Sequence, residues 1–152
     1  MPKIDIDSMD WKGGTGYPAP FADVTEGRFR KRLGNEVGLD QYGVNLTKLE
    51  PGAQSALRHW QEKEDEFVYI LEGEPILIEN DGEIQLKPGD AAGFKAGVAN
   101  GHHLVNRTDK PVLYLEIGSR LPGERVQYPD VDLFAEKTEA GYRFTKKDGS
   151  AY

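Results

Sequence analysis

The sequence predicts an all-β fold, a sandwich or barrel of short strands, and three observations carry that reading. Eighteen glycines and nine prolines among 152 residues cut the chain into short segments. From residue 41 the segments between them alternate apolar and polar residues or run apolar, at the roughly 8–12-residue spacing of such folds. Convincing amphipathic helices are lacking, because few stretches repeat apolar residues at helical spacing.

The elements follow in order. Residues 1–40 read as irregular, with YPAPF extended and the stretch from Val24 to Leu39 holding a short turn or a strand. Tyr42, Val44 and Leu46 alternate with Gly43, Asn45 and Thr47, the period of a half-buried strand. LEPGA (49–53) is a turn, echoed 37 residues later by LKPGD (86–90), which points to two similar halves of one barrel. EFVYILEG (66–73) is the strongest strand, rich in β-branched and aromatic residues. Beyond Glu66 both of its faces are apolar, so it is expected to be buried on both sides or to lie under a subunit contact. PILIE and EIQLK flank the hairpin turn at Asn80-Asp81-Gly82. AAGF, HHLVN and VLYLEIG complete the series, and the tail adds strands near Val126 and Tyr142–Phe144.

The length predicts one domain over 1–152: an N-terminal extension (1–40), a barrel core (42–118) and a C-terminal extension (119–152). The chain has no cysteine, which excludes disulfides, thiolate metal sites and a thiol nucleophile. A net charge of −7 argues against nucleic acid as a partner. No apolar run approaches membrane-spanning length and the start carries no signal pattern, so a cytoplasmic protein is expected. The one basic cluster, Arg28 to Arg32 in GRFRKRLG, reads either as an anion-binding patch or as an exposed, aggregation-resistant edge.

Only three histidines are present, His59, His102 and His103, one before the strongest strand and two about 40 residues beyond. An antiparallel barrel brings such positions together across its interior. His59 and Gln61 are two apart and share a face of a strand. If 59–61 and 66–72 form a hairpin, Glu66 faces the same side, with Val68 and Ile70. The acidic run 62–65 then reads as a solvated turn. His59, Gln61, Glu66 and one of His102 and His103 would then share the barrel interior, a cluster of nitrogen, amide and carboxylate groups.

Here the chain resembles the cupin superfamily. Its first motif reads Gly52, His59, Gln61, Glu66, Gly73, and its second Gly89, Lys95-Ala96-Gly97, His102, Asn106. The likeness covers about residues 42–118, and the whole chain looks like small single-domain bacterial cupins, many described as sugar-phosphate isomerase-like. Three departures stand out. Gln61 replaces the second histidine of the first motif, Lys95 replaces a proline, and the loop from Gly97 to His102 is two residues longer than usual. Counting back from Asn106 favours His102 over His103 as the inward histidine.

The resemblance implies a double-stranded β-helix (jelly-roll) cupin barrel, commonly a homodimer. It implies a divalent metal (Zn, Fe, Mn or Ni) in the barrel on His59, Gln61, Glu66 and His102, and a small oxygenated, sugar-like or anionic substrate. Glu66 is the expected catalytic group, serving as general base where it is not a ligand. Isomerase, lyase and dioxygenase chemistries all fit such a site. The rival expectation is a binding or sensory module with a degenerate metal site, favoured by Gln61.

Overall fold

Short β-branched and aromatic runs, each stopped by glycine or proline, build twelve strands among the described residues. The structure is a computed structural model, and it describes residues 2–152. In chain order the strands are β1 (Arg28–Arg32), β2 (Tyr42–Leu49), β3 (Trp60–Gln61), β4 (Glu66–Glu72), β5 (Ile76–Glu79), β6 (Gly82–Gln85), β7 (Ala91–Phe94), β8 (His103–Val105), β9 (Val112–Ser119), β10 (Arg125–Gln127), β11 (Phe134–Thr138) and β12 (Gly141–Thr145). A single helical turn, α1 (Leu33–Glu36), follows β1. No helix among the described residues is long and apolar enough to cross a membrane.

One wall is a five-stranded antiparallel sheet in the order β1-β2-β9-β4-β7. The facing wall has two parts, β6-β5-β8 and β12-β11-β10-β3. The segment between β2 and β3 runs along both parts and stitches them, through bridges Gln54–Val105 and His59–His102. From β2 to β10 the chain passes back and forth between the walls, with the β5-β6 hairpin kept on one, the arrangement of a jelly roll. The core between the walls holds Leu49, Val68, Ile70, Leu77, Leu104, Val112 and Tyr114. A second cluster, Val126, Tyr128, Leu133 and Ala135, lies under the C-terminal strands and takes Tyr17 and Phe144 against it.

The two echoing turns do equivalent work. Gly52 (φ 85°) donates its amide to Asn106 O at 2.8 Å, and Gly89 (φ 94°) donates to Ile70 O at 2.9 Å. Both need the left-handed conformation that glycine adopts without strain. Gly73 is more tightly constrained. It has φ 84°, and a Cβ there would sit 2.7 Å from Pro111 O and 2.9 Å from Val112 Cα. Gly73→Ala is therefore expected to cost about 2–4 kcal/mol, read by urea denaturation. A loss below about 1 kcal/mol would show that the β4 end shifts to make room.

The hairpin expectation is overturned, and two points that the sequence left open are decided. The 59–61 segment and β4 do not pair as a hairpin: β3 pairs with β10, in register Val126–Gln61 and Gln127–Trp60, so residues 62–65 cross from one wall to the other. Strand β4 is buried on one face only. Val68 and Ile70 are buried, while Phe67, Tyr69 and Leu71 are 40%, 39% and 45% exposed in the single chain. In β2 the polar positions are the ones that look inward. Asn45 and Thr47 pair with Glu116 and Tyr114 on the inner face, and Val44 and Leu46 share the outer face with Ile117 and Leu115. The reason is that this barrel encloses a polar cavity, so part of its inner lining cannot be apolar.

The acidic run is likewise no solvated turn. Glu64 is buried, accepts the Leu121 amide at 2.6 Å and pairs with Lys137 Nζ at 2.8 Å. Asp65 accepts the Ala96 amide at 2.8 Å, and Glu62 accepts from Gln127 Nε2 at 2.7 Å. These acids dock the C-terminal strands and the β7 end, partners too distant in sequence to be read locally.

Candidate metal centre

His59 and His102 face each other as an antiparallel pair. The His102 amide donates to His59 O at 2.9 Å, and the His59 amide donates to His102 O at 3.2 Å. Residues so paired carry their side chains on the same side of the sheet. This closes a 43-residue separation into one contact, with ring centroids 4.9 Å apart. Glu66 reaches the pair from the opposite wall, at the start of β4. Its Oε2 lies 3.4 Å from His102 Nε2 and 3.6 Å from His59 Nε2.

Each imidazole is fixed by its other nitrogen. His59 Nδ1–H donates to Leu57 O at 2.8 Å, and His102 Nδ1–H donates to Asn100 O at 3.1 Å. That turns both Nε2 atoms toward Glu66: protonated they donate to its carboxylate, and deprotonated they would present lone pairs to a metal, the usual preparation of a metal-binding histidine. Phe94 stacks on His102 with ring planes 3° apart and centroids at 3.5 Å, which locks the ring further. Arg58 anchors the loop carrying His102: it donates to Gly101 O at 3.0 Å, to Asn80 Oδ1, and twice to Asp130 at 2.8 Å.

The ligand atoms of His59, Glu66 and His102 all lie within 4.8 Å of one another. Two atoms each ~2.1 Å from one ion at a tetrahedral angle are about 3.4 Å apart, so the 3.4 and 3.6 Å from Glu66 Oε2 to the two Nε2 atoms suit a first-row divalent ion. Gln61 lines the same cavity, two residues from His59. His103 borders the cavity as well, but its Nδ1–H donates to Ala56 O at 2.7 Å and it does not join the cluster.

Electrostatics bind the three groups together. Burial acts to raise the Glu66 pKa, but hydrogen bonds from His102 and His59 and their charge outweigh it and hold the carboxylate well below its usual range. Burial acts to lower the His59 pKa, and the hydrogen bond and charge of Glu66 outweigh that in turn, leaving it raised.

The cavity measures about 250 Å³, room for roughly eight waters at liquid density and so for a small metabolite. Beyond the cluster its lining includes Arg28, Arg30, Tyr114, Glu116 and Tyr128. The basic cluster of β1 is thus neither wholly an edge nor wholly a patch. In register, Arg28, Arg30 and Arg32 face the inner side of β2, and Lys31 lies on the outer side over the Trp11 ring at 4.7 Å. Sequence reasoning missed Tyr114, Glu116 and Tyr128 as cavity residues. For Glu116 a signal existed: a lone acid in the apolar run VLYLEIG, in register with Val68 on an inward face.

Comparison with known proteins adds to this geometry. The cupin domain family matches residues 45–118. A sugar phosphate isomerase of the cupin superfamily from Silicibacter pomeroyi is 46% identical, with 99% of this chain and 96% of that chain covered and a TM-score of 0.96. A candidate sugar phosphate isomerase from Acidithiobacillus ferrooxidans is 30% identical over 82% of this chain and 80% of its own, TM-score 0.75. The polyketide cyclase RemF from Streptomyces resistomycificus, at 16% identity, shares the fold alone, with a TM-score of 0.65 over 78% of this chain and 79% of its own. No curated protein sequence matches. With close to half of all positions identical along nearly the whole of both chains, the relationship to the Silicibacter protein goes beyond shared architecture: this chain belongs to the cupin superfamily.

Proposed function

We propose that the protein is a metal-dependent enzyme acting on a small, oxygenated, anionic substrate, and that sugar-phosphate isomerisation is the activity best supported. The observation that carries the reading is the convergence of His59 Nε2, His102 Nε2 and Glu66 Oε2 in a cavity of metabolite size. The isomerase assignment leans on similarity to the Silicibacter protein. Gln61 completes the proposed donor set with a neutral amide oxygen, leaving positions for water or substrate oxygens.

A divalent ion held by these residues would supply Lewis acidity toward a substrate carbonyl or hydroxyl oxygen. The chain's own residues do the rest. His59 and His102 hold their rings through Nδ1–H bonds to backbone carbonyls. Glu66 neutralises charge and, when not a ligand, takes a proton from the substrate carbon. Tyr128 and Phe144 wall the cavity from the C-terminal strands, and Thr15 to Tyr17 wall it from the N-terminal segment. Both extensions contribute walls to this cavity, which supports reading residues 1–152 as one domain. The exposed outer row Phe67, Tyr69 and Leu71 supports a homodimer through the five-stranded sheet.

The second reading, a non-catalytic binding or sensory module, draws on Gln61, which stands where a stronger nitrogen ligand would bind metal more tightly. The test is metal content by elemental analysis of untagged protein, beside His59→Ala. About one ion per chain, lost in the variant, is the expected result. Absence of metal after supplementation with Fe, Mn, Zn and Ni would sink the metalloenzyme reading. Aldose and ketose phosphates followed by NMR then separate enzyme from binding module.

A further inference from the structure

Two arginines of β1 enter the cavity, and they are employed differently. Arg28 is committed to the fold: its guanidinium donates to Ser55 O at 2.5 Å and to Gly14 O at 3.1 Å, tying the N-terminal segment to the barrel. Arg30 is not. Its backbone pairs with Lys12, yet among the described residues its side chain donates no hydrogen bond, and its Nε is buried without a partner. The one carboxylate within ion-pair distance is Glu116, whose Oε2 lies 3.4 Å from Arg30 Nη2 and also accepts from Thr47 Oγ1 at 3.3 Å. Asn45, on the neighbouring strand and also facing inward, has a buried Oδ1 with no partner. Native proteins leave few such groups unsatisfied, and those they leave point to a missing ligand, ion or water.

We propose that Arg30 forms an oxyanion subsite of the cavity, taking the phosphoryl or carboxylate end of the substrate while its oxygenated end lies at His59, Glu66 and His102. This rests on, and sharpens, the reading of the cavity as a small-molecule site. The charge balance favours it. Arg28, Arg30 and Glu116 together leave one net positive charge, and a divalent ion with Glu66 leaves another. A guanidinium with free donors holds an oxyanion by two parallel hydrogen bonds, which an ammonium at the same place does not. Glu116 is then the group that aims Arg30 while weakening its hold on anions, so binding is reversible and a released product is not trapped.

The experiment uses ¹⁵N-labelled full-length protein, metal-free after chelation and again metal-loaded, titrated separately with inorganic phosphate and with acetate. The Arg30 Nε–H resonance is assigned by its loss in Arg30→Lys. Expected is a saturable shift of that resonance and of backbone amides lining the cavity in the metal-free protein, an affinity, read from those amides, about tenfold or more weaker in Arg30→Gln, and one several-fold tighter in Glu116→Gln. Tighter phosphate binding assigns the subsite to a phosphoryl group, and tighter acetate binding to a carboxylate; either supports it. No shift with either anion, or unchanged affinity in both variants, overturns it. Should Arg30→Gln fail to fold, the wild-type titration and the opposite sign in Glu116→Gln still decide. The metal-free arm separates the two proposals, since anion binding there stands whether or not a metal is found.

Discussion

Glu66→Gln is expected to empty the proposed metal site. Glu66 is the only carboxylate in the three-residue cluster, and its Oε2 sits within 3.6 Å of both imidazole Nε2 atoms. With Gln61 already a neutral donor, the substitution leaves four neutral ligands around a buried divalent charge. Burying charge without a counter-charge costs several kcal/mol. Even outer-shell losses cost about 10–100-fold in metal affinity, so loss of this ligand is expected to exceed ~100-fold. Titration of the chelated protein with Zn or Mn, read by calorimetry, checks it, with Glu72→Gln on the exposed end of β4 as control. Gln61→His should move affinity the other way by restoring a nitrogen ligand. A Glu66→Gln protein that keeps one ion per chain at parent affinity would remove Glu66 from the proposed ligand set.

The largest stability loss is expected at Glu124, which lies outside the cavity. Its side chain is fully buried, and one oxygen, Oε1, accepts three backbone amides: Glu62 and Lys63 at 3.0 Å and Arg125 at 2.8 Å. Those bonds hold the crossing 62–65 between β3 and β4, and hence the relative placement of Gln61 and Glu66. Glu124→Ala leaves the amides without their acceptor and a void beside them. The expected cost is about 3–5 kcal/mol, a large share of the ~5–15 kcal/mol that a domain possesses. At this chain length that corresponds to a fall in Tm of about 10 °C. Glu124→Gln keeps a carbonyl oxygen in place and should lose much less. An alanine variant within about 1 kcal/mol of the parent in urea denaturation would show that water takes over the three amides.

Much of the candidate site was legible before the structure. Three histidines in the whole chain leave little choice of nitrogen ligands, and the spacing of Glu66 to Gly73 singles out one acid among five between positions 50 and 66. What could not be read was how these residues meet. The expected hairpin would have put His59 and Glu66 on one sheet. They lie on opposite walls, and His59 finds His102 instead through a strand pairing that only barrel closure creates. Glu64 read as part of a solvated turn, and Glu124 carried no local signal, because their partners, Leu121 and Lys137 for one and the 62–63 amides for the other, are about 60–70 residues away.

Fold class, turns and donor types can be read from the residues alone, because they follow from period-two alternation, from the conformational freedom of glycine and from composition. Which side of each strand faces the cavity is settled by packing. Alternation divides β2 into an apolar and a polar face but does not say which is inside, and here the polar face won because the interior holds Arg30, Thr47 and Glu116 around a cavity. The same holds within β1: Arg28 and Arg30 are two residues apart on one face, and the packed structure gives one its carbonyl partners and the other only the Glu116 carboxylate, with its Nε unpaired.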